Sequence, residues 1–135
     1  MTYEYLGAPE SGFPCYYRIS DSPLTFSSAR GYNIRATSGQ QSESSPIVVW
    51  TPYGGSNGTI VVSAYNNGGL WINKQLGAVG SPWTFIATGA TGGYSRHLSV
   101  LPGTGSAAGR QILIVGAGAL SGSANRVEAT VIDLP

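Results

Sequence analysis

Ser22-Pro23-Leu24-Thr25-Phe26 and Ser81-Pro82-Trp83-Thr84-Phe85 are two copies of one pentapeptide, fifty-nine positions apart in a chain of 135 residues. A period of about 50 to 60 residues filled with short strands marks an array in which no single unit buries its own apolar face. A β-propeller blade is such a unit, and the chain has room for about two and a half of them. Within each copy the proline fixes φ ahead of a strand and the aromatic residue is suited to packing between neighbouring sheets.

Outward from the second copy, the pattern is that of one four-stranded antiparallel meander. Ile47 to Thr51 and Thr59 to Tyr65 are β-branched runs separated by the glycine-rich turn Pro52 to Gly58, which reads as a hairpin. Asn66-Asn67-Gly68-Gly69 makes the next turn, Leu70 to Lys74 a third strand and Trp83 to Ala87 a fourth. The pattern restarts at Arg96 to Pro102, with Pro102 matching Pro52 and Leu98 matching Val48. Gln111 to Val115 repeats the second strand, Gly116 to Ser123 is a loop, and Arg126 to Ile132 alternates as a further strand. Upstream, Cys15 to Ser20 is the counterpart of Leu70 to Lys74, so the first unit lacks its opening two strands unless Tyr3 to Leu6 supplies one. The expectation is an all-β partial propeller with blade parts at about 1–39, 40–90 and 91–135.

Composition narrows the class. Charged residues are only 10% of the chain, against about 25% in ordinary domains, and there are 20 glycines and 8 prolines. Such a surface of Ser, Thr, Asn and Gly is that of a secreted β protein rather than a helical one. The formal charge is +1 and the seven basic residues are scattered, so nucleic acid is excluded as a partner. The single cysteine, Cys15, permits no internal disulfide and no thiolate metal cluster, and reads as a small buried hydrophobe. No apolar run is long enough to cross a membrane as a helix, and Met-Thr-Tyr-Glu-Tyr lacks the features of a signal peptide. The expectation is thus a cytosolic protein or, on the surface composition, an extracellular parent whose true N-terminus lies elsewhere. Gly116-Ala117-Gly118 has neither the third glycine nor the helix of a dinucleotide site, and neither a cofactor nor a metal is expected.

Asp21-Ser22-Pro23-Leu24-Thr25-Phe26 follows the second half of the Asp-box pattern, Asp-x-Gly-x-Thr-aromatic, with Pro23 where the glycine belongs. The second copy carries Gly80 at the acidic position. With these remnants the chain resembles the Asp-box propellers of the sialidase superfamily. Ser45 to Pro52, Gly58 to Ser63 and Gly93 to Arg96 are most similar to secreted fungal members, among them the exo-acting arabinanases of glycoside hydrolase family 93. The resemblance implies a six-bladed propeller with its site at the central channel, of which this chain resembles the C-terminal part. It also implies that the Asp21 carboxylate accepts backbone N–H bonds of its turn, a structural role.

Glycosidic cleavage needs two carboxylates, and the chain offers Glu4, Glu10, Asp21, Glu43, Glu128 and Asp133. Glu43 is the candidate catalytic residue, because Gln40 to Ser45 leads straight into the presumed innermost strand, whose start faces the channel in the resembled fold. Glu4 and Glu10 lie in an irregular start. One unit later Gly92-Gly93-Tyr94-Ser95-Arg96 occupies the same place: Tyr94 offers a ring and a hydroxyl, and Arg96 a planar donor fork. The resemblance implies that Tyr94 is catalytic and that Arg96 binds substrate. Trp50 and Tyr65 are candidates for stacking on sugar, although tryptophans at strand positions equally serve packing between blades. His97, beside an apolar strand, reads as a hydrogen-bonded core residue.

The preferred reading is part of a secreted glycoside hydrolase acting on a glycan such as arabinan or a sialoside, inactive as an isolated piece. Its partner is a carbohydrate, with missing blades or further copies of the chain covering its open edges. A non-catalytic glycan-binding module and a self-assembling propeller fragment are the competing readings.

Overall fold

The computed structural model describes residues 1–4, 12–22, 24–27, 31–64, 69–88, 95–117 and 127–135, with backbone only at 95, 96 and 117. Three antiparallel sheets account for all of its strands. The first contains β1 (Thr2–Glu4), β2 (Cys15–Tyr17) and β3 (Tyr32–Asn33) in that order. The second is the expected meander of β4 (Ile47–Thr51), β5 (Thr59–Ser63), β6 (Gly69–Asn73) and β7 (Thr84–Ala87). The third comprises β8 (Ser95–Val100), β9 (Gln111–Ala117) and β10 (Val127–Asp133), again in sequence order. Among the described residues the sole helical piece is a 3-10 turn at Gly105–Ala107.

The central sheet is apolar on both faces because successive side chains of a strand point to opposite sides. Val62 and Trp71, directly opposite one another on β5 and β6, face the first sheet and join Cys15, Tyr17 and Ile34 in one core. Val61, Leu70 and Ile72 face the other way, into a second core with Leu98, Ile112 and Ile114 of the third sheet. This is the blade-on-blade packing that the repeat predicts. Polar ties reinforce it: the Trp71 indole N–H donates to the Gln40 carbonyl at 3.0 Å, and the Thr51 hydroxyl to the Gly109 carbonyl at 2.6 Å.

The two pentapeptides differ in outcome. In the second, Thr84 and Phe85 lie in β7, where the Phe85 ring sits 5.1 Å from that of Trp71. In the first, Thr25 and Phe26 form no strand, and the third strand of that sheet comes later, at Tyr32–Asn33. Serine hydroxyls bend the first copy into a turn: Ser20 Oγ donates to the Thr25 carbonyl and accepts the Ser22 N–H at 3.1 Å, while Ser22 Oγ accepts the Leu24 N–H at 3.3 Å.

The turn chemistry also departs from the Asp-box expectation. Asp21 is exposed and accepts no backbone bond among the described residues. The organising role falls to Asn73 at the end of β6, which is 1% exposed. Its Oδ1 accepts the N–H groups of Gln75 (2.9 Å) and Gly77 (2.8 Å), and its Nδ2 donates to Ser81 Oγ (2.7 Å) and the Pro82 carbonyl (3.1 Å). All four hydrogen-bonding sites of the amide are thereby used. Removing it strands buried partners, so Asn73→Ala is expected to cost on the order of 2 to 3 kcal/mol. Asp21→Ala should stay within about 0.5 kcal/mol. Urea unfolding of the two variants checks this, and equal costs would refute the assignment.

Candidate functional site

β1 carries Glu4 to the end of the first sheet, where it is the cross-strand partner of Cys15 on β2. On the other flank of β2, the segment leading into β4 adds itself to the same sheet. The Cys15 N–H donates to the Ser42 carbonyl at 3.0 Å, the Ser42 N–H to that of Ile34 at 3.1 Å, and the Ser44 N–H to that of Phe13 at 2.9 Å. Pro14 and Glu43 form a bridge within this arrangement. Glu4 and Glu43, thirty-nine residues apart in sequence, therefore flank one dipeptide, Pro14-Cys15.

Each carboxylate has a defined resting place. That of Glu43 lies over Gly12: a Cβ added at Gly12 would stand 3.1 Å from Glu43 Oε1, and Gly12 has φ +86°. That of Glu4 accepts the N–H of Ser45. Ser44 and Ser45 both have left-handed backbone, φ 59° and 48°, a conformation that costs a non-glycine residue about 1 to 3 kcal/mol.

The Cys15 thiol has no exposed surface. Burial pushes it up from 9.0 to about 12; the neighbouring Ser42 hydroxyl draws it partly back, and the charges of Glu4 and Glu43 push it further up. It stays neutral and is no nucleophile. Among the described residues no three His, Cys, Asp or Glu side chains converge to hold a metal ion.

The other candidates scatter differently. Trp50 stands near the far end of β4 from Glu43, 54% exposed, with its indole N–H donated to the Asn57 carbonyl at 3.1 Å. Its ring closes over Gly58, where a Cβ would approach to 2.9 Å, so it braces the β4–β5 turn. Trp71 and Trp83 are buried in the core between the first two sheets. Arg96 lies on β8 at a register shift between Ser95 and His97, a bulge of the kind that re-aims a strand. β4 and β8 both run toward the contact of Thr51 with Gly109, so the Arg96 backbone shares the Glu43 end of the strands. Tyr65 and Tyr94 lie outside the described residues. His97 is exposed and bonded to Ser99 Oγ rather than buried, because alternation along β8 turns Leu98 inward and His97 outward.

No protein-family model and no curated protein matches the sequence. Among solved structures the chain is similar to an α-L-arabinanase of Penicillium chrysogenum complexed with arabinobiose, with 44% identity over 98% of this chain and a TM-score of 0.79. It is also similar to the family 93 α-L-arabinofuranosidase of Fusarium graminearum with arabinobiose, with 36% identity over 98% of the chain and a TM-score of 0.84. The same Fusarium enzyme with an iminosugar inhibitor gives the same figures. The chain is a glycoside hydrolase family 93-like propeller segment. It spans 37% to 38% of the length of those enzymes.

Within this family 93-like segment Glu4 is the residue that sequence reasoning passed over. Its signal was the alternation of Thr2-Tyr3-Glu4, short enough to pass for an irregular start. The raised thiol gives the site a pH signature. Folded Cys15 keeps its proton until about 12, whereas an unfolded thiol loses it near 9.0, so stability is full below 9.0 and falls as pH rises toward 12. Tyr17, also pushed up chiefly by burial, acts in the same direction above 10.0. The urea midpoint should therefore drop less for Cys15→Ala than for the wild type between about pH 8 and about pH 10.5. Equal drops would mean that the thiol is not held neutral.

Proposed function

We propose that the chain supplies the glycan-contacting end of a glycoside hydrolase acting on α-L-arabinofuranosyl linkages. The observation that carries this reading is the match, over 98% of the chain, to enzymes crystallised with arabinobiose, in a chain whose Glu4 and Glu43 pair to either side of Pro14-Cys15. Glycosidic cleavage uses one carboxyl group to protonate the leaving oxygen and another as base or nucleophile. Glu4 and Glu43 are the carboxylates this segment offers to that chemistry. Glu4 is exposed at the rim, whereas Glu43 is half-buried over Gly12. Arg96 on its bulge at the same strand end, and Tyr94, two positions earlier in sequence, belong to the proposal as sugar-contacting residues. An arabinan-type glycan fits this reading better than a sialoside, since the similar enzymes hold an arabinose disaccharide. An extracellular setting belongs to the same proposal, motivated by the low content of charged residues.

Titration of arabinobiose into the isotope-labelled chain tests it. Amide shifts are expected at Glu4, Cys15 and residues 42–45, with affinity falling at least about tenfold in Glu4→Gln or Glu43→Gln, a change of about 1.4 kcal/mol. Shifts confined to the β4–β5 turn around Trp50, or no response at all, would remove the basis for the proposal.

A further inference from the structure

Asn57-Gly58-Thr59 is the one place in the chain where an asparagine stands two positions before a serine or threonine, with no proline between them. That pattern marks an acceptor of N-linked glycan in chains that enter a eukaryotic secretory pathway. Three residues also match by chance, so their place in the fold decides. Gly58 takes φ +67° with its N–H on the Gly55 carbonyl at 3.0 Å, which turns the chain between β4 and β5 and leaves Asn57 exposed. The Asn57 carbonyl accepts the Trp50 indole N–H at 3.1 Å, whereas its side-chain amide meets no hydrogen-bonding partner among the described residues. The ring beside it is 54% exposed. Thr59 is the opposite case: it is 1% exposed and its hydroxyl is donated to the Tyr53 carbonyl at 2.6 Å.

We infer that Asn57 is an N-glycosylation site and that the Trp50 ring is the platform on which the first N-acetylglucosamine of its glycan rests. The donor is a polyprenyl-diphosphate-linked oligosaccharide. A bond forms from Asn57 Nδ2 to C1 of the first sugar as the C1–oxygen bond breaks; the diphosphate leaves with that electron pair, and one Nδ2 proton is released. The transferase must also read the Thr59 hydroxyl, which the closed hairpin buries, so transfer precedes closure of the β4–β5 turn. Once the turn has closed, the attached sugar emerges beside the indole. A pyranose presents an apolar face of C–H groups, and the broad indole ring suits it. Trp50 is already held by its bond to the Asn57 carbonyl and by its packing over Gly58, so it loses little freedom on taking up the sugar. The site stands at the far end of β4 from Glu43 and leaves the Glu43 end of the strands uncovered. This inference rests on the extracellular setting of the proposed function.

Secretion of the full chain from yeast behind a leader peptide tests the site. The wild type should carry one glycan by intact mass, removable by peptide N-glycosidase, and Asn57→Gln should carry none; an unmodified wild type overturns the assignment. Yeast microsomes with the lipid-linked donor test the order of events. A peptide of residues 52–62 should be modified at least about tenfold faster than the folded chain, and equal rates overturn transfer before closure. For the platform, the secreted chain is trimmed to a single N-acetylglucosamine. Nuclear Overhauser contacts are expected between the Trp50 ring and the sugar, and their absence overturns the stacking. The trimmed chain should also melt at least about 2 °C above Asn57→Gln, a gap that closes when both carry Trp50→Ala. A gap that survives loss of the ring overturns the platform as well. A chain that is glycosylated in yeast but bare when isolated from the organism that makes it overturns the extracellular setting, not the site.

Discussion

Trp71 is buried to the last atom between two sheets, its ring among Val62, Tyr17, Ile34 and Trp83 and its indole N–H on the Gln40 carbonyl. That one side chain joins the first sheet to the second. It also restrains the chain at Gln40, immediately ahead of the segment that bears Glu43. A tryptophan buries about 150 to 250 Å² and brings a polar group that must find a partner, so packing and direction are set together. Its neighbours on β6, Leu70 and Ile72, point the opposite way and do for the third sheet what Trp71 does for the first.

The site follows from this packing. Once the first and second sheets are locked, residues 41–44 have little choice but to run alongside β2, and Ser42 completes the hydrogen bonds of Cys15 and Ile34. Backbone pairing then sets the two glutamates on either flank of β2, since Glu4 opposes Cys15 and Glu43 opposes Pro14. Between their pairing positions the cysteine stays neutral because water cannot reach it and because both carboxylates disfavour a further negative charge. At the other end of β4 the chemistry is of another kind: Trp50, Asn57 and Gly58 close a turn, and Thr51 ties that end to the third sheet.

The central meander was legible because its signals are local. Alternation in Thr59 to Ser63, the glycines of the turn before it and the tryptophan-bearing run after it each specify their own few residues. Cys15 could likewise be read as buried, as a lone free cysteine usually is. The first pentapeptide misled, since Ser20 and Ser22 outcompete the strand for the backbone around Thr25. The Asp-box remnant misled for a related reason: the turn donors of the second sheet are taken up by Asn73, which stands before the repeat and outside its pattern. His97 was assigned to the core because the run around it is apolar, and only the phase of β8 put Leu98 there instead.

Sequence alone determined the antiparallel meander and the all-β class, because each of these depends on residues within a strand or two of one another, and the resemblance it carries made Glu43 a candidate. Tertiary structure alone decided that Glu4 and Glu43 flank Pro14-Cys15, that Trp50 braces a turn far from them, and that the Ser45 N–H meets the Glu4 carboxylate. These facts involve partners up to 41 residues apart. Such pairs meet only when the sheets dock, and no local pattern of hydrophobicity or turn residues encodes which exposed polar side chains that docking will bring into contact.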